Sequence, residues 1–277
     1  MAFSDFFRRK KKTPVKGFGQ QWKNPPAEAT RHCFVLCGSA EPGDLHGASQ
    51  AVSEIFGPDV TCDAPDGRCI VIMRGEQMIG VLAHMPAPIP QEEAEHHADG
   101  NFLWPEGKEI ASQHRSHVIV TTMGGEEEPP VDAALTLTRL ALVGLRLFDG
   151  MGVYWGNASV SNSREAFENF CDGMSEDSLP VPVWLRFQLV KADEEEFGIY
   201  TLGMQQFGLM DIEVDQSSME IGDLFSFVSN IAHYLIKNGP VIGDGNTVGG
   251  NEEEKIVVRH RPSMVDGNRR VYKILME

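Results

Sequence analysis

The residues best suited to chemistry lie in a histidine-rich stretch in the first half of the chain. His96 follows three glutamates, and His114 and His117 lie three residues apart in front of an apolar run. Imidazole and carboxylate groups are the usual ligands of Zn²⁺ and other divalent ions. One hypothesis is therefore a metal site at His96, His114 and His117, and a metal-dependent hydrolase is the activity such a site would support. The alternative is a solvated acidic helix with core or capping histidines, because there is no HExxH motif and the adjacent His96 and His97 would point in different directions on a helix.

Other catalytic signatures are missing from the sequence. The glycine-rich segment 239–250 lacks the Gly-Lys-Ser/Thr ending of a phosphate-binding loop and follows a predicted helix, whereas such a loop leads into one. There is no G-x-S-x-G motif, and none of the five cysteines forms a C-x-x-C pair. No cofactor is predicted, a divalent metal at the histidines being the alternative, and a non-enzyme is favoured over an enzyme.

Three aromatic residues are candidates for a binding surface. Trp104, Tyr154 and Trp155 have amphipathic rings, and such rings are frequent at interfaces. They are the binding candidates of the sequence, and packing in the hydrophobic core is the alternative for each.

The elements that must position these residues follow from periodicity. Residues 32–37, 69–73, 78–84 and 117–122 predict strands, and 131–149 predicts a long helix closed by Gly150. In the second half, residues 183–190, 199–204 and 209–214 predict strands. Ser217-x-x-Glu220 is a capping box, which predicts a second long helix over 218–237. The fold class is α+β (mixed α/β), with a mainly antiparallel sheet packed by these two long helices.

The domain organisation is predicted from charge and prolines. Residues 1–30 are expected to be a basic flexible tail, and 31–277 to be one α+β domain. Pro180 and Pro182 indicate a lobe boundary near residues 174–182, so an arrangement in two lobes is the alternative to a single unit.

Several short phrases occur in an ordered series along residues 32–276. They are Met85-Pro-Ala-Pro-Ile-Pro90, Phe102-Leu-Trp-Pro105, His114-Arg-Ser-His117, Val153-Tyr-Trp-Gly156, Thr201-Leu-Gly-Met-Gln-Gln-Phe-Gly208, Asp211-Ile-Glu-Val214 and Gly243-Asp-Gly-Asn-Thr247. The series resembles the bacterial domain-of-unknown-function family 4261. The resemblance implies a shared fold and supplies no catalytic residues.

Charge separates the tail from the rest of the chain. The formal net charge of −16 divides into +5 on residues 1–30 and −21 on the remainder. An acidic body repels phosphate backbones, so nucleic acid is not expected as a partner, whereas a basic protein would be attracted. Plain solubility is the other explanation of the charge.

The leading functional prediction is a non-enzymatic, cytoplasmic protein-binding protein, such as an immunity-type inhibitor or an adaptor acting through its acidic surface. The cytoplasm is expected because no signal peptide is recognised, and no stretch has the roughly 18 apolar residues of a transmembrane segment. Aromatic residues beside the basic run of the tail make a tail-tethered membrane-surface protein a third hypothesis.

Overall fold

A computed structural model describes residues 24–43, 45–65, 67–125, 127–249 and 255–276. In this part of the chain, the first half forms a seven-stranded antiparallel sheet in the order β2-β3-β4-β5-β1-β6-β7. Its strands are β1 (His32–Cys37), β2 (Val60–Asp63), β3 (Cys69–Arg74), β4 (Gln77–Met85), β5 (Ser116–Thr122), β6 (Gly150–Trp155) and β7 (Val160–Ser163).

The second half forms a six-stranded sheet in the order β11-β12-β13-β10-β9-β8. Its strands are β8 (Arg186–Lys191), β9 (Phe197–Leu202), β10 (Ile212–Ser217), β11 (Thr247–Val248), β12 (Ile256–Pro262) and β13 (Arg270–Leu275). All neighbours are antiparallel except β10 and β13, which run parallel with Glu213 opposite Lys273. The predicted α+β class is confirmed.

The prediction that two long helices alone pack the sheet is wrong, because the described residues contain seven α-helices and five of them are short. Helices α4 (Pro130–Leu147) and α7 (Ile221–Asn238) have 18 residues each. The short ones have nine residues or fewer: α1 (Ala48–Phe56), α2 (Glu93–Ala98), α3 (Gly107–Ala111), α5 (Arg164–Cys171) and α6 (Val181–Trp184). Several amphipathic helices of different length therefore cover the sheets.

One continuous hydrophobic core joins the two sheets. Alternate residues of β1 enter different layers, as the period of two requires: Cys33, Val35 and Cys37 face this main core with α1 and α4. Phe34 and Leu36 face a smaller cluster formed with α2 and α3. The main core also contains residues of both long helices and of the second sheet.

Two predicted helix boundaries differ from the structure. Helix α4 ends at Leu147, and Asp149 rather than Gly150 has a positive φ of 46°. Gly150 begins β6, where a Cβ would lie 2.4 Å from Cγ1 of Val35, so close packing explains this glycine. Ser217 belongs to β10 and accepts a hydrogen bond from the amide of Met219, so it forms no capping box with α7.

Residues 24–30, part of the predicted tail, are hydrogen-bonded to the segment that connects β9 and β10. The amide of Glu28 donates to the carbonyl of Gln205, and the buried Thr30 hydroxyl donates to Gln206. The predicted basic run at residues 8–12 lies outside the described residues. No helix in the described ranges has the length and apolar character needed to cross a membrane.

Candidate functional site

The three histidines proposed as metal ligands are not brought together. His96 is exposed on α2, whereas His114 and His117 are buried. Within the described ranges, no three His, Cys, Asp or Glu side chains are grouped so that they could hold a metal ion. The predicted ligands His96, His114 and His117 are therefore not grouped as a metal site among the described residues.

His114 and His117 instead fix the proline-rich segment 85–90. Nε2 of His114 accepts a hydrogen bond of 2.8 Å from the amide of Ile89, and its Nδ1 lies 2.6 Å from the carbonyl of Ala111. Nδ1 of His117 lies 2.8 Å from the carbonyl of Ala87. The two imidazole rings therefore pair with backbone groups of a segment whose prolines have no N–H group and cannot donate such bonds themselves.

Lowering the pH from 7 to 5 is expected to destabilise the protein partly through His117. Desolvation by burial is the main cause that lowers the pKa of His117, while its hydrogen bond to Ala87 raises it. Below the ordinary histidine pKa of about 6.5, the unfolded chain takes up a proton that the folded chain takes up only at lower pH, so stability falls. Urea unfolding at both pH values measures the loss, which should be smaller in His117→Asn. An equal loss in variant and parent would contradict this role.

The predicted aromatic binding residues are core residues. Trp155 is fully buried, and its Nε1 donates to Gln206 over 3.1 Å. Trp104 is 5% exposed. The Tyr154 hydroxyl donates to Glu93 over 2.8 Å, and its ring stacks on Phe34. All three side chains are therefore packed in the interior of the described part of the chain.

The buried cysteines are poor nucleophiles. Burial raises the pKa of Cys37 to about 12 and also raises the pKa of Cys33 and Cys171. A thiol with so high a pKa is protonated at neutral pH, and the thiolate is the reactive form.

A cleft of about 380 Å³ opens at the edge of the second sheet where β9 and β12 end and β10 and β13 begin. Pro25, Pro26 and Glu28 of the N-terminal segment line one part of it. The β12–β13 loop contributes Ser263, Val265, Asp266 and Asn268. The cleft is therefore built from segments that are far apart in the chain.

A buried ion pair holds one wall of this cleft in place. Glu213 is 1% exposed, and Nζ of Lys273 donates to it over 2.8 Å and to Asp215 over 2.5 Å. Glu213 also accepts hydrogen bonds from the Ser263 hydroxyl and the Met264 amide, at 2.5 and 3.1 Å. The carboxylate thus ties the β12–β13 loop to the sheet.

The second carboxyl group of the cleft, Asp211, has no such cation. Its Oδ1 accepts hydrogen bonds of 3.1 Å from the Thr201 hydroxyl and the Met204 amide. Burial raises the pKa of Asp211 to about 7, against the opposing effect of these hydrogen bonds and of Arg269. A carboxyl group in a cleft whose pKa is raised towards neutral pH is a candidate functional group.

A third cleft residue, Gln205, has an unsatisfied acceptor. Its Nε2 donates to the carbonyl of Asn157 over 3.2 Å, but its buried Oε1 has no hydrogen-bond partner among the described residues. A buried acceptor without a partner costs about 1–3 kcal/mol. The cleft therefore combines a titrating carboxyl group with an unused acceptor.

The sequence interpretation missed these residues, although it contained a signal for some of them. The segment 211–215 alternates acidic and apolar residues, and on a strand this places its three carboxylates on one face. No local pattern identifies Gln205 or Lys273.

Comparison with known proteins places the cleft in a recognised family segment. Residues 200–275 match the family model of a domain of unknown function, DUF4261. This match confirms the resemblance over a little over a quarter of the chain, and the motifs before residue 200 lie outside it. Every cleft-lining residue except Pro25, Pro26 and Glu28 lies within it. The searches of curated proteins and of solved structures found no match.

Proposed function

We propose that this protein is a non-enzymatic, cytoplasmic protein-binding protein that recognises a basic partner, as an inhibitor or an adaptor, with the cleft at the second sheet as a contact point. The observation that carries the proposal is the pairing of charges in the cleft. Its cations are engaged by the chain itself, whereas Asp211 has no cationic partner within hydrogen-bonding distance among the described residues.

Each basic side chain at the cleft has an acceptor nearby. Lys273 is bound to Glu213, Arg269 lies 3.4 Å from Asp266, and Arg270 donates to the carbonyl of His260 over 2.8 Å. A ligand's carboxylate would have to compete with these acceptors, whereas a cation would meet an unpaired carboxyl group.

The charge of the surrounding protein favours the same kind of partner. Residues 31–277 carry a formal charge of −21, which raises the local concentration of cations and accelerates their association. The buried, protonated cysteines also support a binding role over thiol catalysis.

A direct test uses the purified chain and two labelled peptides, one alternating lysine with glycine and the other alternating glutamate with glycine. We expect fluorescence anisotropy to show binding of the lysine peptide and little binding of the glutamate peptide. Binding should weaken as salt is added, because exposed charges are screened beyond a Debye length of about 10 Å at 0.1 M.

The glutamate peptide is the matched control for length and backbone. Equal binding of both peptides, or no binding of the lysine peptide at low salt, would overturn the proposal.

A further inference from the structure

We infer that the cleft binds a protonated primary amine, the ammonium group of a lysine side chain on the partner, through the Asp211 carboxylate and the Gln205 amide oxygen. This inference rests on the proposed function and specifies the chemical group that the cleft recognises.

The open acceptors are Oδ2 of Asp211 and Oε1 of Gln205. Both protein donors to Asp211, from Thr201 and Met204, end on Oδ1, and no described donor is bound to Oδ2. Gln205 Oε1 is buried without a partner. Because a buried unpaired acceptor is costly, a ligand that supplies N–H donors gains binding free energy here.

The geometry favours an ammonium group over a guanidinium group. A guanidinium is a planar fork that binds a carboxylate best when both oxygens are available to it. In Asp211, Oδ1 is already occupied by Thr201 and Met204, so only one oxygen remains. An ammonium group is a compact charge with three donors, so it can bind a single carboxylate oxygen and still has donors for the amide oxygen of Gln205, which lines the same cleft.

The charged groups around Asp211 are nearly balanced. Arg269 lowers the pKa of Asp211 and Glu213 raises it, but the charge of Glu213 is itself paired with Lys273. The other titratable groups that line the cleft are Glu28, Asp266 and Arg270. The positive charges at the cleft are engaged by acceptors of the chain, so they do not prevent a cation from binding.

Binding of an ammonium group should be coupled to release of a proton. Asp211 is partly protonated at neutral pH, and a bound cation favours its charged form. Lysine itself, with an ordinary pKa of about 10.4, remains protonated from pH 6 to pH 8. The affinity for lysine should therefore rise over this interval.

The test compares three peptides on the full chain: the lysine–glycine peptide, the same peptide with trimethylated lysines, and the same peptide with acetylated lysines. Trimethylation keeps the charge but removes the N–H donors, and acetylation removes the charge. We expect trimethylation to weaken binding about tenfold, the factor that corresponds to about 1.4 kcal/mol. Acetylation should weaken it further.

Two variants locate the effect in the cleft. Asp211→Asn and Gln205→Leu should each weaken binding of the lysine peptide about tenfold, and Asp211→Asn should abolish the rise in affinity from pH 6 to pH 8. Asp172→Asn and Gln113→Leu are matched controls, because they make the same chemical changes at exposed positions that do not line the cleft. Circular dichroism and thermal unfolding verify that all four variants remain folded.

Failure of this inference is distinguishable from failure of the proposed function. If the trimethylated peptide binds as tightly as the lysine peptide, or if folded Asp211→Asn binds like Asp172→Asn, the inference is overturned while salt-dependent binding still supports a basic partner. If no lysine peptide binds the folded chain, both are overturned.

Discussion

Lys273→Met is expected to lower the free energy of unfolding by about 3–5 kcal/mol, because it leaves a charge buried without its counterion. Glu213 is 1% exposed and Lys273 is 7% exposed, so water cannot replace the lost ammonium group. Asp215 is also a partner of Lys273, but its side chain is 58% exposed and can be solvated. Urea unfolding followed by tryptophan fluorescence measures the change.

The matched control is Lys237→Met, which removes a surface ion pair with the exposed Asp177 and should cost less than about 1 kcal/mol. The double variant Lys273→Met/Glu213→Gln should recover part of the lost stability, since the buried charge is then removed as well. If Lys273→Met is no more harmful than Lys237→Met, the ion pair does not stabilise the edge of the second sheet.

Gln206→Leu is expected to cost about 3 kcal/mol, because this single amide satisfies four groups from different parts of the fold. Its Oε1 accepts from Thr30 and from Nε1 of Trp155, at 2.7 and 3.1 Å. Its Nε2 donates to the carbonyls of Trp184 and Gly203, at 2.9 and 2.8 Å. A leucine of similar size would leave the buried indole N–H and both carbonyls without this partner.

Thermal and urea unfolding compare this variant with Gln113→Leu, an exposed site whose side chain donates one hydrogen bond, of 3.4 Å, to the carbonyl of Glu109. The control should change stability by no more than about 0.5 kcal/mol. Similar values for the two variants would show that Gln206 does not link the N-terminal segment and the first sheet to the second sheet.

The strands were the most predictable part of the fold. The apolar run at 32–37 coincides with β1, and the pair 69–73 and 78–84 forms the β3–β4 hairpin. Each of the three runs contributes buried residues to the sheet and is bounded by polar residues or turns, so the local pattern and the tertiary environment agree. By contrast, residues 181–184 form helix α6 ahead of β8, where the sequence predicted one strand from 183 to 190. Val, Pro and Trp in this segment are buried by tertiary packing, which overrides strand propensity.

The candidate site was less predictable because long-range pairing creates it. Glu213 and Lys273 are 60 residues apart, and only the parallel register of β10 and β13 places them opposite each other. The histidines were conspicuous in the sequence, yet His114 and His117 bind backbone groups of the segment 85–90. Their residue type suggested that they bind a metal ion, whereas their hydrogen-bond partners are set by the way the proline-rich segment 85–90 folds over β5.

Because residues 25 and 26 line the cleft, the lysines that precede them in the chain are covalently tethered close to it. Lys23 directly precedes Asn24, whose side chain lies 3.5 Å from the Tyr272 hydroxyl, and Pro25 and Pro26 line the cleft. Lys16 is eight residues from Asn24, so a fully extended chain places it at most about 28 Å away. A group attached through so short a linker has an effective concentration in the millimolar range at any site that the linker can span. If the cleft binds an ammonium group as proposed, a lysine at this distance competes with a basic partner, and an affinity measured on the full chain is the net result of both.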